Sequence, residues 1–331
     1  MQELNRFQRY LVHEFVEDYQ DGLMSRRDMM SRVLHITGGV AAAATMLTKL
    51  GVDAAGAQGQ PMPTPTAPRS PLTVPEDDPT VSAQMVTFEA NDVELMVYQA
   101  VPNTGATPVV SSAASPVASP AATPTAGALG PPLVLVCHEN RGLTDHIRDV
   151  TRRLAKSGYA AVALDLLSRE GGTANVADPT QIPDILSRED PARHVADFQA
   201  VAVYYSGQSD IDATRLGMTG YCFGGGVTWQ AATQMPELRA AVPWYGPAPE
   251  SEQVANIGAA VLGIYSSDPE DFANEGREEL QTALETAGGD FEIREYPDTQ
   301  HAFHNDTGPR FNEEQAIAAW NDMLTWFSTN L

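Results

Sequence analysis

The sequence predicts an α/β protein: a mostly parallel sheet covered by helices on both faces. Two observations carry this. From residue 133 the chain alternates strand-like and helix-like segments at short spacing. With 331 residues, 43% of them hydrophobic, it also has enough apolar material for a sizeable core.

The strand-like runs are Leu133–Cys137, Ala160–Leu164, Leu216–Tyr221, Ala240–Trp244, Val261–Tyr265 and Phe291–Tyr296. The helical patterns are Thr144–Lys156, Pro191–Tyr205, Gly225–Gln234, Ala273–Ala287 and Asn312–Thr329, the last with Ile317, Trp320, Leu324 and Phe327 along one side. Residues 83–101 are expected to add an antiparallel pair at the start. Ligand sites in such sheets sit at the carboxyl ends of the strands, so chemistry is sought there.

Upstream, the chain divides into unlike pieces. Residues 1–24 form an N-terminal helical extension, because Phe7, Tyr10, Leu11 and Phe15 fall near helical spacing. Residues 25–58 have the form of a twin-arginine signal region. Ser25-Arg26-Arg27-Asp28-Met29-Met30 precedes a mildly apolar run from Val33 to Leu50, then Ala55-Gly56-Ala57 as a cleavage site. The run is interrupted by His35, Gly38, Gly39 and Lys49, which suits a removable leader better than a permanent span. The expectation is export by the twin-arginine machinery to the periplasm, cell surface or medium. Residues 59–83 are a Pro/Thr/Ala-rich linker, read as a flexible tether from Gln58 to Pro79. The main folded domain then spans 84–331, with a low-complexity insert at 102–132 whose apolar residues are mostly Ala and Pro.

The net charge is −23, from 20 Lys+Arg against 43 Asp+Glu. Residues 59–331 alone carry 14 cations and 36 anions, so the acidity belongs to the folded part. No general basic face is available for nucleic acid or for anionic membranes. The two cysteines, Cys137 and Cys222, cannot make a disulfide framework and are expected to stay unbonded.

Gly220-Tyr221-Cys222-Phe223-Gly224-Gly225 follows a core strand and opens a helix. This is the G-x-S-x-G nucleophile elbow with cysteine in place of serine. A helix N-terminus behind Cys222 favours negative charge on the sulfur. In triads on such folds the order is nucleophile, acid, histidine. Asp268 follows the strand Val261–Tyr265, with Asp271 as competitor; His301 follows Phe291–Tyr296, with His304 as competitor. His301 would take the thiol proton, and Asp268 would orient the imidazole. His301, His304 and Asp306 could suggest a metal, but no fourth ligand or second motif accompanies them, so no metal or cofactor is expected.

From about residue 84 the chain resembles the dienelactone hydrolase family of α/β-hydrolases. The resemblance is carried by Cys137-His138-Glu139-Asn140-Arg141-Gly142-Leu143, Ile147-Arg148-Asp149-Val150, Gly158-Tyr159-Ala160 and Leu164-Asp165-Leu166. It continues through the elbow, Trp244-Tyr245-Gly246, Tyr296 to Phe303, His304-Asn305-Asp306-Thr307 and Pro309-Arg310-Phe311 to the final helix around Ala319-Trp320. It implies the α/β-hydrolase fold, with Cys222, Asp268 and His301 in the triad positions. It also implies that Glu139 contacts the resting thiol, and that the backbone N–H groups of Phe223 and Asn140 form the oxyanion hole. Two features depart from the family. The spacing after Asp268 differs, and Asn305 stands where the dienelactone-cleaving members place an arginine for the substrate carboxylate.

The activity implied is hydrolysis of small esters or lactones through an acyl-thioester, in a chain expected to be monomeric. The alternatives are a carboxylesterase of broad specificity, or a non-catalytic surface-binding module that keeps the fold.

Overall fold

The structure, a computed structural model, describes residues 4, 6–20, 22, 24–50, 52, 67–103 and 130–331. The expected cleavage site at residues 55–57 and residues 104–129 of the insert lie outside the described residues.

Among the described residues eight strands form one sheet in the order β1-β2-β4-β3-β5-β6-β7-β8. β1 (Val81–Ala90) and β2 (Val93–Pro102) are an antiparallel hairpin, turned by Asn91 and Asp92, both with positive φ. β2 also runs antiparallel to β4 (Ala160–Asp165). The others are parallel: β3 (Pro132–Cys137), β5 (Asp212–Tyr221), β6 (Ala240–Trp244), β7 (Ala260–Ser266) and β8 (Phe291–Tyr296). The central strands are buried on both faces, so they read as unbroken apolar runs such as Leu133-Val134-Leu135-Val136. This is the mostly parallel, helix-covered sheet that the alternation predicts, in the α/β-hydrolase form that the family resemblance implies.

Among the described residues three helices precede the sheet: α1 (Arg6–Gln20), α2 (Arg26–Thr37) and α3 (Val40–Lys49). Ser25, before the arginine pair, caps α2, its hydroxyl accepting from the Asp28 N–H at 3.2 Å. Gly38, at φ 71°, ends α2, so the apolar run is split between two helices. Among the described residues no helix is long and apolar enough to cross a membrane.

The sheet is flanked by α4 (Asp145–Lys156), α5 (Ile182–Arg188), α6 (Pro191–Ser206), α7 (Phe223–Gln234), α8 (Arg277–Ala287) and α9 (Glu313–Asn330). α8 starts four residues later than its periodicity suggests. Asp271 caps a separate turn at Phe272–Asn274, and Gly276 breaks the path with left-handed φ.

The tether expectation is corrected for its second half. The N–H groups of Arg69 and Ser70 donate to Asp306 Oδ2 at 3.1 and 2.9 Å, and Val74 N–H donates to Asp149 Oδ1 at 2.7 Å. A Pro/Thr composition argues against a packed core, but it does not stop backbone amides from finding buried carboxylates.

Candidate active site

The elbow is built by the end of β5 and the start of α7. Between them Cys222 adopts φ 57° and ψ −117°, a conformation that costs a non-glycine residue about 1–3 kcal/mol. Its N–H is tied to the Trp244 carbonyl at 3.0 Å, at the end of β6. The flanking glycines are required by space. A Cβ on Gly220 would lie 2.2 Å from the Gly224 carbonyl oxygen, and one on Gly224 would lie 2.5 Å from the carbonyl oxygens of Cys137 and His138. Gly224→Ala is therefore expected to destabilise the fold by about 1–3 kcal/mol. Thermal melting checks this, at about 2–4 °C per kcal/mol for a domain of this size; an unchanged melting temperature would contradict the steric account.

His301 follows β8 and meets an acid that follows β7. Its Nδ1 is 3.1 Å from Asp271 Oδ1. Asp271 is in turn fixed by the Ser266 hydroxyl at 2.5 Å and the Ala273 N–H at 2.9 Å. Burial pushes the Asp271 carboxyl up, but the His301 charge and these hydrogen bonds outweigh it and hold it low. Burial likewise pulls the imidazole of His301 down. The Asp271 charge and hydrogen bond, with Glu17 and Glu14 behind them, overcome that and raise its pKa to about 9.

Asp268, the expected orienting acid, does not meet His301. It is partly exposed and accepts from the Glu270 N–H at 2.9 Å, closing its own turn. Spacing alone could not separate the two acids, because the turn between them decides which one points inward.

Cys222 is 3% exposed and His301 1% exposed. The sulfur and a ring nitrogen of His301 lie within 4.8 Å of each other. The partners of the thiol come from α1. The Tyr10 hydroxyl donates to Sγ at 3.2 Å, and the thiol donates to Glu14 Oε1 at 3.2 Å. Burial and the carboxylates of Glu14 and Glu139 push the Cys222 thiol well up, against the Tyr10 hydroxyl and the Phe223 N–H, so it rests protonated.

Glu139, which the family resemblance places against the thiol, acts on it through its charge and makes no hydrogen bond to it in this arrangement. Its Oε2 accepts from Asn305 Nδ2 at 2.6 Å, its Oε1 is buried without a hydrogen-bond partner, and Glu14 holds the thiol instead. Of the two expected oxyanion-hole residues, Phe223 is at the thiol and Asn140 reaches the carboxylate that holds it. The Phe223 N–H faces the sulfur, and Asn140 Nδ2 donates to Glu14 Oε1 at 2.6 Å. Sequence reasoning missed Glu14, since an acid on a helix ordinarily reads as solvated; its one signal is its place four residues after Tyr10.

His304 and Asp306 do not join His301 as one ligand set. Asp306 is occupied by His146 Nδ1 and Arg153, each at 2.8 Å, while His304 stacks on Tyr221 and Trp320. Cys137 and Cys222 are both free thiols.

Comparison with known proteins fits this geometry. The dienelactone hydrolase family matches residues 118–331. A Salmonella typhi protein provisionally named carboxymethylenebutenolidase is 33% identical over 273 residues, covering 79% of this chain and 93% of its own. An Escherichia coli K12 protein with the same provisional name is 37% identical over 210 residues, covering 60% of this chain and 77% of its own. Among solved structures, a provisionally assigned dienelactone hydrolase from Klebsiella pneumoniae superposes with a TM-score of 0.63 at 30% identity, over 75% of this chain and 98% of that one. With the elbow, the sheet order and the histidine–acid pair in place, the chain belongs to the dienelactone hydrolase family of α/β-hydrolases.

Proposed function

We propose that this protein hydrolyses small carboxylic esters or lactones with Cys222 as nucleophile. The observation that carries the reading is a cysteine on a strained strand-to-helix turn, beside a histidine already paired with a buried aspartate. In the reaction the neutral form of His301, favoured once Glu14 and Glu17 no longer stand behind it, removes the thiol proton as Sγ attacks the ester carbonyl carbon. The oxyanion of the tetrahedral intermediate is received by the N–H groups of Phe223 and Asn140. The intermediate collapses to an acyl-thioester, and the departing alkoxide takes the proton from His301. His301 then deprotonates a water, which attacks the thioester and releases the acid with the thiol restored. Asp271 keeps the imidazole oriented throughout.

One observation favours a broader esterase over dienelactone itself. Asn305 occupies the place of the expected carboxylate-binding arginine and is engaged with Glu139. An amide cannot give a carboxylate the bidentate grip of a guanidinium. The arginine pair at the head of α2 supports export by the twin-arginine route, with the enzyme acting outside the cytoplasm.

The test is turnover of p-nitrophenyl acetate and a panel of short esters and lactones, with and without prior alkylation. It is run on the wild-type chain and on a Glu17→Gln/Asp18→Asn variant, which breaks the ion pairs of Glu17 with Arg310 and of Asp18 with Arg141 that hold α1 over the site. Turnover is expected to fall in proportion to Cys222 modified by iodoacetamide. Full activity after complete modification would reject the cysteine mechanism.

A further inference from the structure

We propose that α1 is a built-in inhibitor that occupies the active site, so that the full chain is latent until α1 is withdrawn. The consequence for catalysis rests on the hydrolase reading; the blockage itself does not. A working hydrolase needs its nucleophile and base within reach of substrate, yet Cys222 and His301 are both sealed. What seals them is one face of α1. Tyr10 and Glu14, one helical turn apart, approach the sulfur, the first donating a hydrogen bond and the second accepting one. Glu14 Oε1 also receives Asn140 Nδ2, and its Oε2 stands 3.8 Å from His301 Nε2. A carboxyl group held between the sulfur, Asn140 and the histidine has the chemistry of the acid that ester hydrolysis would release.

Glu14 is not what a merely structural helix would place there. It is 6% exposed, and its Oε2 is buried with no hydrogen-bond partner. Burying such a group carries a free-energy cost that an apolar residue would avoid. The rest of α1 is fitted to the mouth of the site. Leu11, Val12 and Phe15 are buried in the main core cluster, and Tyr10 packs edge-on against Phe272, with ring centroids 5.0 Å apart. At the rim, Asp18 pairs with Arg141 at 2.7 Å, Glu17 with Arg310 at 2.5 Å and Arg9 with Glu275 at 2.9 Å. These three pairs clamp the helix without touching the sulfur. Every one of these α1 residues precedes the arginine pair at 26–27, so removing the leader would also remove the inhibitor.

The experiment measures alkylation of Cys222 by iodoacetamide in the full chain, read by peptide mass, with the buried Cys137 as internal control. Two variants are compared with wild type: Glu17→Gln/Asp18→Asn, which loosens the clamp outside the site, and Tyr10→Ala/Glu14→Ala, which removes the occupying groups. Each is expected to raise the Cys222 rate about tenfold or more, within the range of ordinary intramolecular coupling, and to leave Cys137 unmodified. A synthetic peptide of residues 6–20 added to the second variant is expected to slow Cys222 again. Wild-type Cys222 reacting as fast as in both variants would overturn the proposal, as would Cys137 and Cys222 reacting together, since that reports general unfolding. Faster alkylation with no ester turnover in any form would leave the inhibitor standing and reject the hydrolase reading.

Discussion

Asp271→Asn is expected to lower kcat by about a hundredfold or more, while Asp268→Asn stays within about twofold of wild type. The geometry separates the two acids without ambiguity. Asp271 accepts from His301 Nδ1 and is itself locked by Ser266 and Ala273, so it sets both the tautomer and the tilt of the imidazole. An asparagine there keeps the shape, but it loses the charge that stabilises the imidazolium formed when the thiol is deprotonated. Asp268 caps a turn at the surface, and its loss leaves His301 untouched. Steady-state kinetics on one accepted ester decides the matter, with every change made in the Glu17→Gln/Asp18→Asn background that loosens α1 and with Cys222→Ala as the zero point. If Asp268→Asn were the more damaging change, the observed pairing would not be the catalytic one.

Asp306→Ala is expected to be the most destabilising change outside the elbow, costing about 3 kcal/mol or more, because it leaves a buried charge short of its partner. The Arg153 side chain is 2% exposed and would keep Asp149 as its one carboxylate partner, beside the Thr73 hydroxyl. His146 Nδ1 would lose its acceptor, and so would the amides of Arg69 and Ser70, which hold residues 69–74 against α4. The sign with pH follows from the direction of the shift. Burial opposes ionisation of Asp306, but His146, Arg153 and the Ser70 N–H outweigh it, so its carboxyl is held far below the ordinary range. An acid depressed in this way stabilises the fold above its unfolded pKa of about 3.9 and loses that contribution as the pH falls below it. Thermal melts are therefore expected to show a wide gap between wild type and Asp306→Ala at neutral pH, narrowing below about pH 4. A gap that stayed constant with pH would assign the loss to packing and not to charge.

What the sequence alone determined is local in origin. Strand–helix alternation, the buried apolar runs and the glycines around Cys222 each follow from steric rules acting over a few residues. The sheet, the elbow and the positions of Cys222 and His301 were therefore legible before any coordinates. Tertiary structure decided what depends on meetings between distant segments. Asp271 displaced Asp268 because a turn of three residues aims one carboxylate inward and the other at solvent. Asn305 holds Glu139 across 166 residues of chain, and Glu14 accepts from the thiol across 208. The Pro/Thr-rich stretch before β1 packs because Asp306 and Asp149 supply acceptors that its composition does not reveal. A charged residue on an amphipathic helix has the same sequence signature whether it faces water or a thiol. Only the burial imposed by packing α1 over the strand ends separates the two, and that burial is a property of the whole fold.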